Sequence, residues 1–142
     1  MNVIFDYSDI KERLKIPVQF RRIVREIEVN EDKKLGEICY IFVSRRKILE
    51  INRSFLKHDY VTDVVTFNLN KKGMISGDIY ICADKVSENA CRLGIPLEEE
   101  ISRVMIHGIL HLIGYNDLNK LEQGEMRKKE DFYLAIIEKK GL

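Results

Sequence analysis

A chain of 142 residues, 45% apolar and 33% charged with a formal net charge of +1, has the composition of a globular domain. It is too apolar for a disordered chain, and its balanced charge excludes nucleic-acid binding driven by overall charge alone, so any such partner must meet a local basic patch. The first residues lack the basic head and apolar core of a signal peptide, and no apolar run approaches a membrane span. These features predict one cytoplasmic domain over residues 1–142 with no membrane partner.

The elements follow in order. Asn2 to Phe5 reads as a short first strand. Pro17 suits the opening turn of a helix, and Val18, Phe20, Ile23, Val24 and Ile27 recur at helical spacing from Val18 to about Val29. Arg21, Arg22 and Arg25 fall on its other faces and are candidate phosphate contacts. Lys33, Lys34 and Gly36 mark a loop. Ile38 to Val43 is a nearly continuous apolar run, expected to be a strand buried on both faces. Ser44 then caps a helix carrying Ile48, Leu49, Ile51 and Phe55. Arg45, Arg46 and Lys47 crowd its first turn, where the helix dipole disfavours cations, so a phosphate partner is one explanation for them.

A polar connection, Lys57 to Asp63, leads to a strand from Val64 to Leu69. A turn through Asn70 and Gly73 and a strand from Gly77 to Cys82 complete an antiparallel hairpin. A helix starts at Ala83 and stops at Gly94, with Pro96 beyond it. Glu98, Glu99 and Glu100 favour the first turn of the next helix, Leu97 to Ile113, whose apolar residues cover most of its circumference and make it the buried central helix. A last amphipathic helix runs from about Leu118 to Glu138. Strands interleaved with helices, one pair antiparallel, predict an α+β domain with a mixed β-sheet packed with several helices. Cys39, Cys82 and Cys91 are widely spaced with no Cys-x-x-Cys pair, and read as reduced, mostly buried thiols.

The central helix carries the chemistry. His107 and His111 stand four apart inside an apolar run, so both imidazoles share one face and can reach one ion. Gly114 gives the chain a way out of the helix that can turn Asp117 back towards the rings. Two histidine nitrogens and a carboxylate leave a fourth position open to water, the arrangement of catalytic zinc. The spacing matches the extended zincin pattern, His-Glu-x-x-His-x-x-Gly-x-x-His, with Gly108 in place of the glutamate and Asp117 in place of the last histidine. That glutamate is the general base of a metallopeptidase, so Gly108 weakens a protease reading.

The stretch from His107 to Asp117 resembles the signature of the YbeY family, bacterial rRNA maturation factors described as metal-dependent endoribonucleases: His-Gly-x-Leu-His-x-x-Gly-Tyr-Asp-His. Two further blocks are similar to the family's. Thr62 to Phe67 matches Thr-Asp-Val-Leu-Ser-Phe, and Gly77 to Ile81 matches Gly-Asp-Ile-x-Ile. The resemblance covers roughly Ile51 to the C-terminus. It implies a zincin-like placement of one zinc ion on the central helix, held by His107, His111 and Asp117, with nickel or another divalent metal as alternatives. It also implies a single-stranded RNA substrate and a role with the small ribosomal subunit or its assembly factors, in rRNA maturation and ribosome quality control.

The chain departs from the signature at Asn116 and Asp117, and it has Leu56 where the family usually has an arginine, a place that Lys57 or His58 can take. With no glutamate at Gly108, the proton-transferring group must come from elsewhere, and Asp63 and Asp78 are the candidates. Arg21, Arg22, Arg25, Arg45, Arg46, Lys57 and His58 are the candidate RNA contacts. Two competing readings remain: a metallopeptidase-like hydrolase, and a non-catalytic ribosome-assembly factor with a structural metal.

Overall fold

The computed structural model describes residues 2–140, with side chains through residue 137. Among these residues the elements run β1 (Asn2–Tyr7), α1 (Phe20–Glu31), β2 (Leu35–Val43), α2 (Arg45–Ile51), β3 (Val64–Asn68), β4 (Ile75–Cys82), α3 (Ala83–Leu93), α4 (Leu97–Ile113) and α5 (Lys120–Lys140). The strands form one mixed sheet in the order β1-β2-β4-β3. β1, β2 and β4 are parallel, and β3 closes one edge antiparallel to β4, with Val64 opposite Ile81 and Asn68 opposite Gly77. This is the expected α+β architecture with its hairpin.

Side chains alternate across a strand, so each sheet face has its own core. Ile38, Tyr40 and Phe42 of β2 join Ile79 and Ile81 of β4 on the face covered by α1, α4 and α5. Each such fully buried side chain contributes roughly 1.5–3 kcal/mol, so this larger cluster dominates the stability of the fold. Ile41, Val43, Val65 and Cys82 point the other way, against Ile48 and Ile51 of α2.

The fit of α4 on β4 depends on two glycines. A Cβ added at Gly108 would meet Ile79 side-chain carbons at 2.8 and 2.9 Å, and one at Gly77 would meet the Phe67 carbonyl at 2.4 Å and Leu112 at 2.8 Å. Gly108 is therefore the price of close helix–sheet contact, and a glutamate has no room there. Tyr40 adds a buried tie, its hydroxyl donating to the Met105 carbonyl of α4 at 2.9 Å.

Some boundaries differ from the sequence reading for local reasons. The Phe20 N–H donates to the Pro17 carbonyl at 3.0 Å, so a turn precedes α1 and leaves Val18 89% exposed. β2 begins at Leu35 and takes in Gly36, expected as loop, because Leu35 pairs with Ile75 of β4. A π-helical turn, Asn52–Leu56, widens the end of α2 and swings Phe55 out of the core. Asn119 caps α5 by accepting the Glu122 N–H at 2.9 Å, so the helix starts at Lys120 and Leu118 is exposed. Cys82 is buried, Cys39 half-buried and Cys91 exposed, all as free thiols. No described helix is long and apolar enough to cross a membrane.

Candidate metal centre

α4 positions both histidines, and its exit positions their partner. Gly114 ends the helix at φ +127°, and its N–H and that of Tyr115 both donate to the Leu110 carbonyl, at 3.1 and 3.0 Å. This backbone reversal favours glycine, and it brings the third group back over the helix. Asp117 Oδ2 lies 3.4 Å from His107 Nε2 and 3.4 Å from His111 Nε2. One ligand atom from each residue falls within 4.8 Å of the other two. Asn116 is exposed and takes no part in this group.

The donor set fits a divalent ion. Separations of 3.4 Å are too long for good hydrogen bonds. They match the roughly 3.4 Å edge expected between ligand atoms about 2.1 Å from a tetrahedrally bound zinc. The residues stay accessible, with side-chain exposures of 20%, 24% and 38% for His107, His111 and Asp117.

The two rings differ in their electrostatics. Burial opposes charge on His107, but the hydrogen bond and charge of Glu130, with the nearby Asp117, outweigh it and raise its pKa. Burial and the neighbouring His107 push His111 down, and Asp117 only partly offsets them.

A cleft of about 560 Å³ opens beside the group, lined by Asp63 and Val64 at the β3 edge, Glu100 and Arg103 of α4, and Arg127 and Glu130 of α5, among others. Asp63 is thus brought to the site. Its backbone carbonyl accepts the Cys82 N–H at 2.9 Å and its Oδ2 accepts from Asn89 at 3.4 Å. The preceding connection is braced by the buried Asn52, which donates to the Tyr60 carbonyl at 3.2 Å and to Thr62 Oγ1 at 3.0 Å. Glu100, buried in the cleft wall, has its pKa raised by burial and by the charge of Asp63.

Asp78 is not brought to the site. Its neighbours Gly77 and Ile79 face α4, so strand alternation turns Asp78 to the opposite side of the sheet. Nor does any of Arg21, Arg22, Arg25, Arg45, Arg46, Lys57 and His58 line the cleft. Arg21 donates to the Val3 carbonyl at 3.3 Å, Arg45 pairs with Glu88, and the exposed His58 stacks on Tyr60 at a ring separation of 5.1 Å. The cations that do line it, Arg103 and Arg127, carried no motif. Arg103 lies four residues before His107 on the same helix face, which was the one available sign.

Comparison with known proteins identifies the family. A family profile described as Endoribonuclease YbeY matches residues 6–138. A Bacteroides thetaiotaomicron protein named Endoribonuclease YbeY is 41% identical over 128 residues, 90% of each chain. Its namesake from Flavobacterium psychrophilum is 40% identical over 135 residues, covering 95% of this chain and 96% of its own. The solution structure of a Thermotoga maritima protein superposes with a TM-score of 0.67 at 32% identity, over 94% of this chain and 88% of that one. With the profile spanning nearly the whole chain and two full-length relatives at about 40% identity, the chain belongs to the YbeY endoribonuclease family.

Proposed function

We propose that the protein is a zinc-dependent endoribonuclease that cuts single-stranded segments of ribosomal RNA precursors during small-subunit maturation and quality control. A substrate of that kind places it in the cytoplasm, in contact with the small subunit or its assembly factors. The observation that carries the reading is the convergence of His107, His111 and Asp117 on one point at the mouth of an open cleft, in a chain whose full-length relatives bear the name endoribonuclease.

His107 and His111 through Nε2, and Asp117 through Oδ2, are the residues that would hold the metal. When bound, zinc supplies Lewis acidity towards a phosphate oxygen and lowers the pKa of water. The chain supplies the rest. Arg103 is held by two carboxylates at 3.0 and 2.9 Å, whereas Arg127 lies 4.0 Å from Glu130 with its side chain 58% exposed, and is the cleft cation turned to solvent to meet a backbone phosphate. Arg127 thereby covers the role that Leu56 cannot. With no side chain at Gly108, Asp63 is our candidate among the cleft carboxylates to hold or pass a proton. Arg21, Arg22, Arg25, Arg45, Arg46, Lys57 and His58 are left as contacts for RNA running beyond the cleft.

Gly108 also decides against a peptidase, since packing on Ile79 leaves no room for a glutamate base. The accessibility of the three ligands favours a catalytic metal over a structural brace, which is normally closed off by four protein ligands. The test is cleavage of single-stranded and duplex RNA and of a peptide library, with and without a chelator. Chelator-sensitive cleavage of single-stranded RNA alone supports the reading. Metal-dependent peptide turnover without RNA cleavage overturns it.

A further inference from the structure

Behind His107 stands a chain of buried charge that reaches from α5 into the centre. His107 Nδ1 lies 2.6 Å from Glu130 Oε2. The other Glu130 oxygen accepts from Arg103 at 3.0 Å, and Arg103 donates its second nitrogen to Asp131 at 2.9 Å. The Glu130 side chain is 7% exposed and that of Arg103 16%. A carboxylate buried so deeply must be paired, and Arg103 pairs it. His111 has no carboxylate behind it: its described side-chain partner is Asp117 on the metal side, and its other hydrogen bond is with the backbone of Tyr115.

Two acceptors do not approach to 2.6 Å, so Nδ1 is the donor in this contact. In a neutral ring that places the single proton on Nδ1 and leaves Nε2 with its lone pair aimed at Asp117 and the space between the ligands. The hydrogen bond at one imidazole nitrogen decides what the other can bind. Glu130 belongs to α5, while both histidines and Arg103 belong to α4. The centre therefore reaches its binding form only when the C-terminal helix is docked.

We propose that Glu130, neutralised by Arg103, is a positioning residue that holds His107 in its Nδ1–H tautomer, presents Nε2 to the metal and makes metal affinity depend on the docking of α5. The affinity part rests on the metal-site reading above. The tautomer part is a property of the metal-free protein. Linkage is reciprocal, so zinc in turn stabilises α5 against local opening.

The test uses the full chain. Histidine ¹⁵N shifts of the metal-free protein report the tautomer of each ring, and competition against a chromophoric chelator reports zinc affinity. Glu130→Leu is expected to remove the Nδ1–H signature of His107, leave that of His111 unchanged, and weaken zinc binding by about 10–100-fold, as outer-shell partners do. Glu130→Gln keeps an acceptor oxygen without the charge, and is expected to preserve the tautomer and lose less affinity. A folded Glu130→Leu protein with an unchanged His107 tautomer and unchanged zinc affinity overturns the proposal. If Glu130→Leu does not fold, Glu130→Ala takes its place in the same two measurements: loss of the His107 Nδ1–H signature with weaker zinc binding supports the proposal, and an unchanged tautomer with unchanged affinity overturns it. If the wild-type protein binds no zinc, the metal reading fails, and the tautomer comparison still settles whether Glu130 sets His107.

Discussion

The two faces of the sheet are built to different rules. On the face covered by α4 and α5, charged groups are drawn inward and tied to one another. Glu130 holds His107 and Arg103, while the carboxylate of Glu31, 5% exposed, accepts the Tyr115 and Tyr133 hydroxyls and the Lys129 ammonium at 3.1 Å. On the face covered by α2 the core is small, and the arginines of the first turn sit exposed, paired locally or free. Buried networks fix geometry, whereas exposed pairs are each worth only about 0–1 kcal/mol and move readily. A metal centre needs the first kind of surface. A long, sequence-tolerant polyanion needs only exposed cations, such as Arg127 at the rim of the cleft.

That contrast can be broken most forcefully at the ligands. His107→Ala or His111→Ala should abolish stoichiometric zinc binding and RNA cleavage together, with a far-UV circular dichroism spectrum like wild type. Retained cleavage in a metal-free variant would remove the centre from the reaction.

The next effect is on packing. Gly108→Ala places a methyl group within about 3 Å of Ile79. It should cost roughly 1–3 kcal/mol by overpacking, seen as a lower denaturation midpoint in urea. An unchanged midpoint would mean that α4 does not rest on β4 as described.

Acid should act through Glu31. Burial works against its charge, but the hydrogen bonds from Tyr115, Tyr133 and Lys129 outweigh it and hold its pKa below the ordinary value of 4.5. Because the folded value is depressed, its stabilisation is fully present above the unfolded pKa and is lost as pH falls through the folded one. Stability should therefore decline below about pH 4.5, and Glu31→Gln should flatten that decline; equal acid sensitivity in both would contradict the assignment.

The smallest expected effect compares the faces directly. Arg127→Ala should weaken binding of single-stranded RNA and reduce the salt slope by about 1, the signature of one lost phosphate contact. Arg45→Ala combined with Arg46→Ala should change the slope by less. The reverse ranking would move the RNA path to the α2 face.

Much of this was written locally in the chain. The helical spacing of His107 and His111, the glycine exit and the blocks around Thr62 and Gly77 all lie within a few residues of what they position, so periodicity and turn chemistry expose them. The hairpin and the buried α4 were legible for the same reason. Glu130 and Glu31 were not, because each acts on a residue at least 23 positions away and only the packing of helices against one another brings them there. The facing of Asp78 was not legible either, because a motif match does not say which side of the sheet a strand residue faces. Phe55 misled because a π-helical turn follows no apolar period.

The central question is whether one metal held by these three side chains makes the protein cut RNA. Zinc titrated into metal-stripped protein, with single-stranded RNA cleavage followed at each addition beside a parallel His111→Ala titration, asks this directly. Cleavage should rise to a plateau near one equivalent of zinc for the wild type and stay at background for the variant. Full cleavage by stripped wild type, or equal responses from the two proteins, would contradict the account.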